Sequence, residues 1–179
     1  MCYEIEAKLK VDSFLEITEK LKLLKAEFIE EQIQKDDYFD TEDENLRRDD
    51  SGLRLRKQFN GQIEKLFLTY KGPREQDKFK KRQEIEIKVD NADLTEKMLM
   101  ALGLIKTVVV EKKRNLWQIE QCVIALDQVK SLGNFVEIEG PDDKKIADIQ
   151  KALGLAGLTH IKVSYANLMA QKFEQIGKE

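Results

Sequence analysis

Tyr3-Glu4-Ile5-Glu6-Ala7-Lys8-Leu9-Lys10-Val11 alternates strictly, with Glu4, Glu6, Lys8 and Lys10 on one face and Ile5, Ala7, Leu9 and Val11 on the other. A period of two marks a β-strand, and the polar face of this one is entirely charged. The pattern returns along the chain. Gln34, Asp36, Tyr38 and Asp40 share a face in the segment that begins at Phe28 and runs to a polar loop over 41–51. Leu53-Arg54-Leu55-Arg56 projects two arginines together, then turns through Asn60-Gly61, a favoured hairpin pair, into residues 62–71. That second arm carries Phe67, Thr69 and Lys71 on one side, and Gly72-Pro73 is expected to end it. Arg82, Glu84, Glu86 and Lys88 alternate with Ile85, Ile87 and Val89. Residues 108–119 set Lys112 and Arg114 on a common face, 122–129 bring Asp127 near a strand end, and 134–139 set Glu137 and Glu139 opposite Phe135 and Ile138.

Helical patterns separate these strands. Ser13 and Glu16 have the spacing of a capping box, and Leu15, Leu21 and Leu24 mark an amphipathic stripe to about Ala26. Residues 91–102 predict a helix closed by Gly103, and two more are expected over 142–153 and 164–173. The fold class is therefore α+β, an antiparallel sheet with helical packing elements.

The composition narrows the function. The 179 residues suit one domain, 1–179, with one core. Charged residues reach 36%, against about 25% in ordinary domains. Yet 31 Lys+Arg nearly cancel 34 Asp+Glu, for a net charge of -3. A basic nucleic-acid surface and an acidic tail are both excluded as explanations. Cys2, Cys122 and a single His160 rule out a disulfide scaffold and a structural zinc site. With charge from the fourth residue and no apolar run near the about 20 residues of a membrane span, a cytoplasmic location is expected.

Charged strand faces usually just meet water. Here, however, Glu-x-Glu and Arg-x-Arg pairs recur in strand after strand, and like charges two apart are costly unless something of opposite sign lies between them. Closing about eight such strands into a barrel would turn the charged faces inward and leave the apolar faces for helices to cover. Carboxylates at one end of such a tunnel suit Mg2+ or Mn2+, and clustered Lys and Arg suit a polyanion chelating that metal. The cargo this predicts is a metal-bound polyphosphate.

At this level of detail the sequence resembles the CYTH, or triphosphate tunnel metalloenzyme, superfamily, which includes class IV adenylyl cyclases and thiamine triphosphatases. Glu4-Ile5-Glu6-Ala7-Lys8 stands where the family has its N-terminal Glu-x-Glu-x-Lys. Residues 34–40, Leu53-Arg54-Leu55-Arg56, Thr69-Tyr70-Lys71-Gly72-Pro73, Arg82 with Glu84 and Glu86, and Glu111 to Arg114 resemble its later strands in order. Leu126-Asp127-Gln128-Val129, Leu132-Gly133 and Phe135-Val136-Glu137-Ile138-Glu139 look most like the cyclase branch, and Lys162-Val163-Ser164-Tyr165 resembles the motif opening the C-terminal helix.

The resemblance implies an eight-stranded closed antiparallel barrel with helices outside, and an enzyme acting on ATP, thiamine triphosphate or tripolyphosphate. In that reading Glu4, Glu6, Glu137, Glu139 and Asp127 hold one or two Mg2+ or Mn2+ ions. Lys8, Arg54, Arg56, Lys71, Arg82, Lys112 and Arg114 neutralise the triphosphate, with Lys8, Lys112 and Arg114 also acting in catalysis. Glu84 and Glu86 are either further ligands or members of an ion-pair network. Tyr38 could pair with Lys112 to activate a water, or could only pack. His160 is expected as a cap or surface residue, Trp117 and Phe135 as packing residues, and the Asp49-Asp50 pair as solvated. The partner is a small triphosphate, with no nucleic acid or membrane; an exposed barrel surface could also support a homodimer. A non-catalytic polyphosphate binder is the remaining alternative.

Overall fold

In the computed structural model, residues 2–61, 63–74 and 80–176 are described, the side chains of 2–4, 80, 81 and 176 excepted. The chain order is β1 (Cys2–Val11), α1 (Leu15–Leu23), β2 (Glu27–Asp40), α2 (Asn45–Arg48), β3 (Gly52–Asn60), β4 (Ile63–Arg74) and β5 (Lys80–Val89). It continues with α3 (Ala92–Ala101), β6 (Ile105–Ile119), β7 (Cys122–Val129), β8 (Gly133–Glu139), α4 (Asp143–Ala152) and α5 (Tyr165–Ile176). The eight strands close in the order β1-β5-β4-β3-β2-β6-β7-β8, and β1 pairs antiparallel with both β5 and β8. Closure removes the exposed sheet edge.

The core lies outside the barrel wall. Ala7 and Leu9 of β1, Ile124 and Leu126 of β7, and Val136 and Ile138 of β8 pack against Ile17 and Leu21 of α1, Ile146 and Ile149 of α4, and Leu153 at its C-cap. A second cluster joins Phe39 and Leu55 to Leu99 of α3. These are the apolar halves of the alternating strands. Because side chains alternate, placing them outward commits the charged halves to the interior.

Several local expectations change. The first helix begins at Leu15 with Phe14 as its N-cap and no side-chain cap bond; Ser13 Oγ instead accepts from the Leu15 N–H at 3.2 Å. Its buried stripe is Ile17 and Leu21, while Leu15 and Leu24 are exposed. Strand β4 continues through Gly72-Pro73 to Arg74, because a register shift between Lys71 and Arg74 absorbs the proline. The 41–51 loop contains the short α2, whose Leu46 and Arg47 N–H groups donate to the Asp40 carboxylate at 2.9 Å each. Gly61 holds φ +75° at the hairpin turn, the left-handed conformation that glycine adopts at no steric cost.

Candidate active site in the barrel

The interior is a cavity of about 930 Å³ running between the strands and reaching the 41–51 loop and α5. Lys8, Arg54, Arg56, Lys71, Arg82, Lys112 and Arg114 all line it, as do Glu6, Glu84, Glu86, Glu137, Glu139 and Tyr38. Thus the barrel gathers the expected basic residues from β1, β3, β4, β5 and β6. Glu4 lies on β1, Cα-paired with Arg82, but its side chain is outside the described residues.

Two buried aspartates organise the cations. Asp36 of β2 is opposite Arg56 of β3 in the register, and Arg56 Nε and Nη2 donate to its two oxygens at 2.7 Å each, a bidentate fork. Arg54 approaches the same carboxylate at 3.7 Å. Burial opposes the charge on Asp36, but Arg56 and Arg54 outweigh it and hold the carboxyl far below its ordinary range. Two strands along the barrel, Asp127 of β7 is opposite Arg114 of β6. Its oxygens accept from Arg114 Nε at 2.6 Å, Arg114 Nη2 at 2.5 Å, Lys112 Nζ at 3.0 Å and the Tyr165 hydroxyl at 3.0 Å. Asp127 is fully buried and does not line the cavity. It is one of the five expected metal ligands, and its oxygens meet four donors from Arg114, Lys112 and Tyr165.

Lys112 sits among cations. Burial and the neighbouring Arg114 push its ammonium down to about 8, although Asp127 and Glu137 act the other way. Lys8 differs: burial would lower it, but Glu137 and Glu6 outweigh that and raise it. Its Nζ lies 3.1 Å from Glu137 and 3.9 Å from Glu6. Glu137 also accepts from Arg114.

The other carboxylates divide by register. Glu84 accepts from Lys71 at 2.7 Å, and Glu86 accepts from Thr69, whose Oγ1 also accepts from Arg54 at 3.1 Å. With Arg54 3.9 and 3.6 Å from Glu84 and Glu86, these two belong to a cross-strand ion-pair network. By contrast Glu6 and Glu139 stand directly opposite one another on β1 and β8. Facing like charges destabilise a sheet unless a cation lies close to both. Among the described residues no three Asp, Glu, His or Cys side chains converge to hold a metal ion. Glu4, which the sequence alternation groups with Glu6, has its side chain outside the described residues. The oxygen-only donor set suits a hard divalent cation.

Two guanidinium groups stand out for what they lack. Arg54 and Arg82 are buried, and among the described residues the Nε of each has no hydrogen-bond partner. A buried, unsatisfied donor costs free energy, and the two arginines that carry them line the cavity from β3 and β5, where fixed guanidinium charge is suited to an anion.

Tyr38 makes no hydrogen bond with Lys112, whose ammonium is bonded to Asp127 and faces the Tyr165 ring. Phe135 shares the inward face with Glu137, not the opposite one, and stacks edge-on against Tyr165 with centroids 5.1 Å apart. Trp117 packs in the outer core with Phe28. Asp50 is not simply solvated: it accepts from Arg74 N and Nε at 3.1 and 2.6 Å. His160 is half-buried, bridged to Leu9 and bonded through Nε2 to Gln150 at 2.9 Å, while Ser164 Oγ accepts from Asn167 N. Asp36 and Tyr165 were not assigned from sequence. Asp36 could have been, since it shares a face with Tyr38 and lies in a charged strand; Tyr165 offered only its place in the motif opening the last helix.

The family model for the CYTH domain matches residues 3–165. A Methanocaldococcus jannaschii protein named as a candidate adenylate cyclase is 32% identical over 174 residues, covering 92% of this chain and 97% of that protein. The adenylate cyclase CyaB of Aeromonas hydrophila is 25% identical over 179 residues, covering 94% of this chain and 90% of its own. A solved Pyrococcus horikoshii structure, 31% identical, superposes with a TM-score of 0.82 over 94% of this chain and 99% of that one. The described helices include none long and apolar enough to cross a membrane. By sequence match and by fold, the chain belongs to the CYTH domain family.

Proposed function

We propose that this protein is an enzyme that binds an organic triphosphate inside the barrel and, in the manner of a class IV adenylyl cyclase, converts ATP to cyclic AMP and pyrophosphate. The observation that carries the reading is the pair of buried Nε donors, of Arg54 and Arg82, that find no partner among the described residues and are set among Lys8, Arg56, Lys71, Lys112 and Arg114. Fixed cations in a closed, low-dielectric site stabilise charge that develops on a leaving polyphosphate, with no reorganisation at the moment of reaction. A cavity of about 930 Å³ lies within the size range of small-molecule sites and leaves room beyond a bare phosphate chain. Val108, Ala170 and Phe173 add apolar lining suited to an organic group. The cyclase names of the two sequence relatives point the same way.

Glu6, Glu139 and Glu4 would hold Mg2+ or Mn2+, with Glu137 between that set and the cations Lys8 and Arg114. The ion, when bound, supplies Lewis-acid neutralisation of phosphate oxygens. Asp36 and Asp127 orient the cations and are positioning residues. Hydrolysis of an organic triphosphate is a second reading. Lys112, held at about 8, favours it, because such an amine can accept a proton from a water near neutral pH.

Product analysis separates the two. Purified protein with Mg2+ or Mn2+ is given ATP, thiamine triphosphate or tripolyphosphate, and cyclic AMP, pyrophosphate and orthophosphate are resolved by chromatography. Cyclic AMP with equimolar pyrophosphate is expected. Orthophosphate without cyclic AMP would establish the hydrolase, and no turnover of any of the three would remove the enzymatic reading.

A further inference from the structure

We infer that Tyr165, reaching into the barrel from the first turn of α5, is a positioning residue that holds the two tunnel lysines in place with the face of its ring. Its ring centroid lies 4.1 Å from Lys8 Nζ and 4.8 Å from Lys112 Nζ. These lysines come from β1 and β6, strands that are not neighbours in the barrel. One aromatic ring therefore serves two cations from separate walls.

The surroundings make that contact matter. Tyr165, Lys8 and Lys112 are all buried, and cation–π attraction grows as the partners lose water. The phenol is fixed from two sides. Its hydroxyl donates to Asp127 Oδ2 at 3.0 Å, and Phe135 meets its ring edge-on, with Val110 and Val129 completing an apolar socket. Burial, Glu137 and Asp127 keep the hydroxyl protonated, so it remains a donor. Lys8 is further drawn toward α5 by the Val163 carbonyl at 3.4 Å. A flexible four-carbon chain loses rotamer freedom on binding an anion. An ammonium already held against a rigid ring has less to lose, which is how pre-organisation raises affinity. The C-terminal helix thus contributes to the site through a side chain that need not touch the substrate.

The inference rests on the triphosphate reading, so its test uses metal-free binding of inorganic tripolyphosphate, followed by calorimetry in EDTA. Wild-type binding establishes the tunnel as a polyphosphate site; its absence would defeat that reading and leave Tyr165 with nothing to organise. Given wild-type binding, Tyr165→Leu is expected to weaken it at least tenfold, while Tyr165→Phe, which keeps the ring and loses only the hydroxyl, stays within threefold. Tyr165→Met carries the same expectation as the leucine variant and fills more of the volume, should the leucine variant fail to melt cooperatively. In a Lys8→Ala background the leucine substitution should cost much less than in the wild type, since one of its two cations is gone. Wild-type affinity in a folded Leu or Met variant would overturn the inference. So would a tenfold loss in the phenylalanine variant, which would place the effect in the hydroxyl and Asp127 instead of in the ring.

Discussion

The two aspartate clamps of the barrel are built alike on adjoining strand pairs, β3–β2 and β6–β7. Asp36 faces Arg56 across β2 and β3, and Asp127 faces Arg114 across β7 and β6, each gripping its arginine with both oxygens. Each also draws in a second cation, Arg54 for Asp36 and Lys112 for Asp127. They differ in the third partner. Asp36 is served by strand residues alone, whereas Asp127 also takes the Tyr165 hydroxyl from the far end of the chain. Both clamps follow from the register of paired strands, and the second additionally takes a partner that arrives only when α5 docks, so the same carboxylate chemistry is complete within the sheet at one site and finished by the C-terminal helix at the other.

The largest effect is expected from breaking a clamp. Replacing one partner of a buried ion pair costs about 3–5 kcal/mol, because the other charge is left buried and uncompensated. Asp127→Asn should sit at the upper end of that range in urea unfolding and Asp36→Asn lower, since Asp127 serves Arg114, Lys112 and Tyr165 together. Equal losses would dissolve the distinction between the two clamps. Next comes the anion site. Arg54→Ala is expected to raise the KM for the triphosphate at least tenfold with a smaller change in kcat, and unchanged kinetics would place Arg54 outside the phosphate path. Glu6→Gln should abolish metal-dependent turnover while the protein still melts cooperatively; retained activity would remove Glu6 from the ion.

A pH series resolves the clamps at intermediate scale. Asp36 and Asp127 are both held below their ordinary value of 3.8. Their stabilising contribution is thus whole above about pH 4 and is lost as pH falls below it. Unfolding free energies flat from pH 6 to pH 3 would contradict that. On the alkaline side Lys112 behaves in the opposite sense. Its ammonium is lowered from 10.5 to about 8, so its burial penalty is relieved as pH rises between those values, while tripolyphosphate affinity falls as the charge is lost. The smallest effect lies at the rim. Arg47 pairs with Glu44 and Glu174 at 3.1 Å each, with all three side chains at least one-third exposed. Arg47→Ala should change stability by about 1 kcal/mol or less.

Much of this was legible in the sequence because alternation does two jobs at once. The apolar halves of β1, β7 and β8 found α1 and α4, and the charged halves were then left no place but the interior. The same periodicity put Arg54 with Arg56 and Lys112 with Arg114. It could not say which carboxylate bonds which cation. For Asp127, which the family resemblance implied as a metal ligand, the strand pattern carries no record of a phenol arriving from 38 positions away. Glu84 and Glu86 could not be divided between ligand and ion pair until Lys71, Thr69 and Arg54 were placed beside them. At Phe135 the reading assigned the wrong face, although strict alternation with Glu137 sets it inward, where it supports Tyr165.

The central claim is that the Nε donors of Arg54 and Arg82, without a partner among the described residues, await a phosphate chain. A crystal structure with Mg2+ and a non-hydrolysable ATP analogue tests it most directly. The account predicts phosphate oxygens within about 3.2 Å of both Nε atoms, with the nucleoside toward Val108 and Phe173. Analogue bound outside the barrel, with those two donors still unpartnered, would contradict it.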